Sequence, residues 1–301
     1  MRKQVNILIQ TTIPYTEDDW HVGRFSMMTE HLRSQIDPDG NAIYSITTRN
    51  REVESNGNDA VLSKLDESDF DQLWLFALDL GDGLSPVDCA GITRFRQRGG
   101  GIFSFRDHFD MGSSLCTLGG IGDAHYFHSK NPDPDPLRNI RDDPYTTYID
   151  FPNYHSGANG DYQKINVAMD HDLLRRADGS MIEFFPAHPH EGGVGAPDPS
   201  AHVIATGTSK VTGRDFNLIV AFEPSADADG NKLGRAIAES SFHHVVDYNW
   251  DTDSGCPSFV DEPPGDGYKK NPRALDDIKR YVNNAAGWLS TKAEASMKQT
   301  Q

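Results

Sequence analysis

The stretch Gly99–Gly112, GGGIFSFRDHFDMG, decides how this chain is read. Three glycines lead into the apolar run Ile102–Phe105. A polar cluster follows at once: Arg106, Asp107, His108 and Asp110. A short apolar run of this kind is the mark of a strand covered on both faces, as in a parallel sheet. Open α/β sheets bind ligands beyond the carboxyl ends of such strands. Charge is too costly to bury unpaired. Residues at that strand end must therefore meet a ligand or satisfy one another. Arg106, Asp107 and His108 are the first candidates for a functional site. An internal Arg–Asp pair that pins a tight turn is the competing account.

Upstream, Val5–Gln10 (VNILIQ) reads as a first strand, and Phe25, Met28, Leu32 and Ile36 recur at helical spacing. Ala42–Thr47 reads as a second strand, Ala60–Leu65 as a helical turn or two, and Gln72–Leu78 (QLWLFAL) as a third strand. Pro86–Arg96 is a helix with proline near its start, feeding the glycine run. This β-α-β-α alternation implies a parallel sheet with right-handed crossovers.

Downstream, the proline- and aspartate-rich Lys130–Pro144 and the turn-forming Tyr154–Tyr162 read as loops. Met181–Phe185 reads as a strand ending at Pro186, and His202–Gly207 and Phe216–Phe222 as two strands joined near Thr212-Gly213. Ala236–Ser240 is a further strand and Glu262–Asn271 a Pro/Gly-rich loop. Arg273–Leu289 is a helix with Ile278, Tyr281, Val282 and Ala285 on one side. The expected class is α/β: a flavodoxin-like three-layer fold with a mainly parallel central sheet and irregular insertions. No repeat or linker interrupts it, so residues 1–290 read as one domain and 291–301 as a polar tail.

The 301 residues carry a net charge of −17, with 45 acidic against 28 Lys and Arg side chains. That surface argues against nonspecific binding to nucleic acid or anionic membranes and does not by itself identify a partner. No run approaches the ~20 apolar residues of a membrane helix. The N-terminal apolar run is too short and polar for a secretory signal. Cys89, Cys116 and Cys256 show no CxxC spacing, which suits a reducing, cytoplasmic setting. A homo-oligomer is compatible with all of this.

Histidines supply the strongest chemical pattern. Beyond His108 they cluster as AHYFH (His125, His128), NYHSG (His155), AHPHEGG (His188, His190, with Glu191) and FHHVVDYNWD (His243, His244, with Asp247). Histidine moves protons near neutral pH and ligates metals, and carboxylates orient imidazoles or bind hard ions. We take Asp107, His108, His190 and Glu191 as candidate catalytic groups. Arg106, His125, His155, His188 and His243 are candidate substrate contacts, Arg106 for an anionic or oxygen-rich group. His244 and Asp247, with His108, His190 and Glu191, are candidate ligands for zinc, manganese or iron. None of the spacings matches a recognised motif such as HExxH. Any one of these histidines, taken alone, is equally served by a structural hydrogen bond.

The loop TEDDWHVGR after the first strand adds Trp20, His21 and Arg24 as candidate binding residues, with Trp20 offering a face to a sugar-like ring. Asp18 and Asp19 stand where acidic residues cap a helix. No GxSxG elbow and no Walker loop is present.

ILIQTT, QLWLFAL and GGGIFSF running into a sharp polar turn resemble the class I glutamine amidotransferase-like fold. Within it the chain is similar to the ThuA-like (trehalose-utilisation) group, on GGGIFSFRDH, FFPAHPHEG, GRAIAESSFHH and the helix closing on Trp288-Leu289. The resemblance implies carbohydrate-related metabolism without fixing a reaction. Amidotransferases carry a cysteine at the strand-end elbow, and here that place falls on Arg106 or Asp107. Without a thiolate there, glutaminase chemistry by that route is not expected. Two functions remain: a hydrolase-like enzyme (or related lyase or isomerase) acting on a small polar, carbohydrate-related substrate, or a non-catalytic binding module on the same fold.

Overall fold

The computed structural model describes residues 4–142, 146 and 148–290. The tail at 291–301 and part of the Lys130–Pro144 loop lie outside the described residues.

Four strands, β1 (Val5–Thr11), β2 (Tyr44–Arg49), β3 (Gln72–Phe76) and β4 (Gly101–Phe105), begin an eight-stranded sheet. They lie in the order β2-β1-β3-β4 and are followed by Ala236–Glu239, Asp215–Phe222, Ala201–Thr208 and Asn166–Val167. Every pairing from β2 to Ala236–Glu239 is parallel. The remaining pairings are antiparallel. The sheet is thus a five-stranded parallel body with an antiparallel flank, and the fold is α/β and flavodoxin-like. The flank comes from the long insertion between β4 and Ala236–Glu239.

Alternation along each strand builds two cores. Trp74, Phe76, Phe103 and Phe105 face one side, where they meet Phe25, Met28 and Leu32 and the C-terminal helix Leu275–Trp288. Leu73, Leu75 and Ile102 face the other, against helix Pro86–Gln97 and the 3-10 turn Leu62–Glu67. Period-two side chains with both faces covered make the three layers. Each fully buried Leu or Phe contributes about 1.5–3 kcal/mol.

The glycine run is explained by its neighbours. Gly99 has φ +94°, just past the end of helix Pro86–Gln97, where a residue with a side chain is strained. A Cβ on Gly101 would sit 2.6 Å from the Leu289 carbonyl oxygen. The start of that helix carries a reciprocal Ser85–Asp88 capping box with Pro86 in its first turn.

Several boundaries differ from the sequence reading. The second strand is shifted to Tyr44–Arg49, and Ala60–Leu65 becomes the 3-10 turn. Of the expected Met181–Phe185 strand, Phe184 and Phe185 fall in the short strand Phe184–Pro186, which pairs with Tyr162–Lys164, and Met181 makes an isolated bridge to Arg175. Ile36 lies beyond the first helix, Ser26–Arg33, and is 64% exposed. The Pro/Gly-rich loop contains one helical turn, Gly267–Lys270.

Candidate functional site

β4 and the parallel strand Ala236–Glu239 leave the sheet at the same edge, with Glu239 opposite Phe105. Two residues further on their chains still touch. Ser241 Oγ donates to Asp107 Oδ1 at 2.9 Å, and the Phe242 amide donates to the Arg106 carbonyl at 2.9 Å. The loop after β1 brings Trp20, and the insertion brings His188 and His190. Ser156 anchors the latter segment: its Oγ accepts from the His188 amide at 2.8 Å, and its own amide donates to the His188 carbonyl at 3.0 Å. Asp107, Trp20, His188 and His190 line a cavity of about 240 Å³ together with His108, His243 and Glu262. It sits where the ends of parallel strands place ligands. A larger groove of about 440 Å³ runs beside Arg176 and Asp277. Those two pair with each other at 2.6 Å, so that groove shows no comparable gathering of histidines.

Asp107 is the centre of the cavity cluster and is 1% exposed. His108 Nδ1 lies 2.8 Å from its Oδ2, His188 Nε2 3.3 Å from Oδ1, and His243 Nε2 3.7 Å from Oδ2. Yet Asp107 Oδ2, His108 Nδ1 and His188 Nε2 are all buried and aligned with no hydrogen-bond partner. Burial works to raise the Asp107 carboxyl. The adjacent His108 ring, first among the opposing influences, outweighs it and holds the group well below the usual carboxylate range.

One backbone carbonyl sets the protonation of two of these rings. Asn249 Nδ2 donates to the Ala187 carbonyl at 2.8 Å, and a carbonyl can only accept. The Asn249 oxygen therefore faces His243 Nδ1, 3.2 Å away, which must carry the proton. Asn249 Nδ2 also donates to Asn159 Oδ1 at 3.1 Å. That oxygen meets His188 Nδ1 at 3.1 Å, so this nitrogen is protonated too. Both rings then turn an unprotonated Nε2 toward Asp107. Burial lowers the His188 imidazole to about 4 and holds His243 well below its usual value, so both are neutral near pH 7. Their rings stack at 3.6 Å between centroids.

His190 forms the other wall. Its Nε2 lies 2.7 Å from Glu262 Oε1. That hydrogen bond lowers the Glu262 carboxyl to about 2, against a raising effect of burial. The His190 ring stands 5.5 Å from His108 and 5.7 Å from His188 between centroids.

The other candidates lie elsewhere. Glu191 pairs through its backbone with Tyr154 and turns inward, where its carboxylate accepts from Ser156 Oγ and Gln163 Nε2 at 2.8 and 2.6 Å. His244 is fully buried between Glu191 Oε2 at 3.1 Å and Glu239 Oε1 at 2.7 Å. Burial would lower its pKa, but the two carboxylates raise it to about 10. Asp247 accepts from the Ser26 and Met27 amides at 3.0 and 2.8 Å. It thereby caps helix Ser26–Arg33, a task the sequence reading gave to Asp18 and Asp19. The structure thus joins neither His244 nor Asp247 to the Asp107 cluster.

Arg106 is fully buried, over the Phe127 ring at 4.1 Å, and donates to the Phe109 carbonyl at 2.8 Å. His125 is buried with its Nε2 2.8 Å from Ser104 Oγ. The His155 backbone amide faces Asp142. His21 caps the short turn Val22–Phe25, and Arg24 donates to the Asp19 and Gly255 carbonyls. None of these five lines the cavity. Trp20 does, but it is 2% exposed and set edge-on to His243, 5.0 Å away. It is a packed wall rather than an open stacking face.

Asn159, Asn249, Ser241 and Glu262 were not singled out in the sequence. Asn249 stands inside FHHVVDYNWD and Asn159 inside YHSGANGDY, and closeness to histidine was their only signal. Glu262, in a Pro/Gly-rich loop, had none.

No family model matches the chain, and no curated protein matches it. Solved structures do. The mmIFT52 N-terminal domain is 12% identical at TM-score 0.49, over 92% of this chain and 96% of that one. The cytoplasmic protein STM3548 from Salmonella typhimurium is 10% identical at TM-score 0.47, over 94% and 98%. The glutaminase domain of Trypanosoma brucei CTPS, with bound acivicin, is 12% identical at TM-score 0.47, over 96% and 99%. No residue role is carried over from any of the three. Among the described residues, no helix is long and apolar enough to cross a membrane.

Proposed function

We propose that the cavity at the end of β4 is the active site of a hydrolase-like enzyme acting on a small polar substrate. The observation that carries this reading is the pairing of two unlike walls in one cavity. One wall is rich in acceptors: the Asp107 carboxylate and the unprotonated Nε2 atoms of His188 and His243. Those groups accept hydrogens from a water molecule and orient its oxygen. The other wall is His190, held by the ionised Glu262, which exchanges a proton with the leaving group. Buried titratable groups around one cavity are costly for stability and mark functional sites.

A cavity of about 240 Å³ suits a small ligand rather than a polymer segment. The ThuA-like resemblance suggests that the substrate is carbohydrate-related. The net charge of −17 speaks against nucleic acid or anionic membranes as partners, and three free cysteines fit a cytoplasmic setting.

The test is turnover by the full chain on small glycosides, esters and amides, glycosides first. His190→Gln should lower kcat by about 10²–10⁴, the usual worth of a positioned proton-transfer group. Lack of turnover on all three classes, or full activity of His190→Gln, would overturn the reading.

A further inference from the structure

We infer that Asp107, His108 and His188 are the ligands of a divalent transition metal at the floor of this cavity. Three observations meet there. The ligand atoms of these residues all lie within 4.8 Å of one another. His108 Nδ1 lies 2.8 Å from Asp107 Oδ2 and His188 Nε2 3.3 Å from Asp107 Oδ1, separations of the size of a coordination-shell edge. Nitrogen and oxygen ligands about 2.0–2.1 Å from a metal are about 2.8–3.4 Å apart in octahedral to tetrahedral geometry.

The second observation is what fills that space badly without a cation. The Asn249–Asn159 chain protonates His188 at Nδ1, so its Nε2 lone pair faces Asp107 Oδ1, an oxygen that already accepts from Ser241 Oγ. A lone pair against a carboxylate oxygen at 3.3 Å repels. His188 Nε2, Asp107 Oδ2 and His108 Nδ1 are all buried without a hydrogen-bond partner. Removing polar atoms from water without a partner is costly. One cation among them satisfies all three.

The third observation is the support behind the ligands. The His188 Nδ1–H donates to Asn159 Oδ1, and Asp107 Oδ1 accepts from Ser241 Oγ. Metal-binding imidazoles are commonly fixed by such a second hydrogen bond. His243 is not a ligand in this arrangement. Its ring lies parallel to that of His188, with an 11° tilt at 3.6 Å. A metal in the plane of one ring is therefore well out of the plane of the other. His243 instead keeps an unprotonated Nε2 beside the metal, placed to accept a proton from bound water.

Two imidazoles and one carboxylate leave coordination positions open toward the cavity, and the donor set suits zinc, iron or manganese. Bound there, the metal lowers the pKa of its water toward neutrality. The catalytic consequence rests on the hydrolase reading, but metal binding can be measured without it.

The experiment is titration of the full chain, purified without chelator or histidine tag, with Zn²⁺, Co²⁺ and Mn²⁺ separately, by calorimetry and, for Co²⁺, by visible absorption. About one equivalent should bind, and Co²⁺ should develop ligand-field bands. Asp107→Asn and His108→Gln should each weaken binding at least about 100-fold. His108 is partly exposed at the rim, so its variant tests the site even where Asp107→Asn fails to fold. Asn159→Leu should weaken binding about 10–100-fold, with Asn159→Asp restoring it. Less than about a tenth of an equivalent of every metal, or binding unchanged in folded His108→Gln, overturns the proposal. Turnover by a protein that takes up none of these metals would sink the metal and spare the hydrolase. One bound equivalent with no turnover would do the reverse.

Discussion

The imidazole of His188 lies against that of His243 with centroids 3.6 Å apart and planes within 11°. Two cations cannot sit so close in a buried pocket, and the stack holds only while both rings are neutral. Each is kept neutral by burial, and each spends its Nδ1 proton on an asparagine oxygen.

Acid should therefore loosen the site. The folded pKa of His188 is about 4, below an unfolded value of about 6.5. The unfolded chain binds more protons between those values, so this term lowers stability as pH falls from about 6.5 to about 4. Urea denaturation across that range should show the decline, and His188→Gln should flatten it. An unchanged slope in that variant would count against the neutral stack.

His244 carries the opposite sign. Its folded pKa of about 10 exceeds the unfolded value, so its contribution is complete below about pH 6.5 and is lost as pH rises through about 10. His244→Gln should remove this alkaline loss. It should also cost about 3–5 kcal/mol, because it strips the partner from the buried Glu191. Chemical denaturation at pH 7 and pH 9 measures both effects.

Asp247 should behave as a cap. Asp247→Ala removes the acceptor of the Ser26 and Met27 amides and should cost about 0.5–2 kcal/mol. Metal titration of the same variant should match wild type, since Asp247 is outside the Asp107 cluster. Loss of metal with Asp247→Ala would place the ligands elsewhere.

Glutaminase activity should be absent. No cysteine lines the cavity, and burial raises the Cys116 thiol, the opposite of what a nucleophile needs. Ammonia release from glutamine should stay at background. Release that disappears in Cys116→Ala would move the reactive centre to that thiol.

Glu262 tests the second wall. Glu262→Gln should leave stability within about 1 kcal/mol, because the pair is partly open to solvent. Any hydrolytic kcat should fall, with its pH profile displaced, since the ionised carboxylate no longer orients His190. A profile that superimposes on wild type would deny His190 its role in proton transfer.

Local pattern was enough for the parallel body of the fold. QLWLFAL and GGGIFSF are short apolar runs between turn residues, and period-two burial leaves them one reading, a strand with both faces covered. The same logic marked Asp107 and His108, because a strand end followed by charge has few innocent explanations. The antiparallel flank and the shifted second strand were less legible, since their pairing depends on partners far away in the chain.

Among the histidines, sequence supplied residue types and only tertiary structure assigned their work. His243 and His244 are neighbours, yet one borders the cavity and the other is clamped between two glutamates. His190 and Glu191 part in the same way. Adjacent side chains leave the backbone in different directions, so one step along the chain moves a residue between site and core. The tautomers of His188 and His243 depend on a single carbonyl at Ala187 acting through Asn249 and Asn159. That chain of bonds joins residues up to 90 positions apart, and no local spacing encodes it.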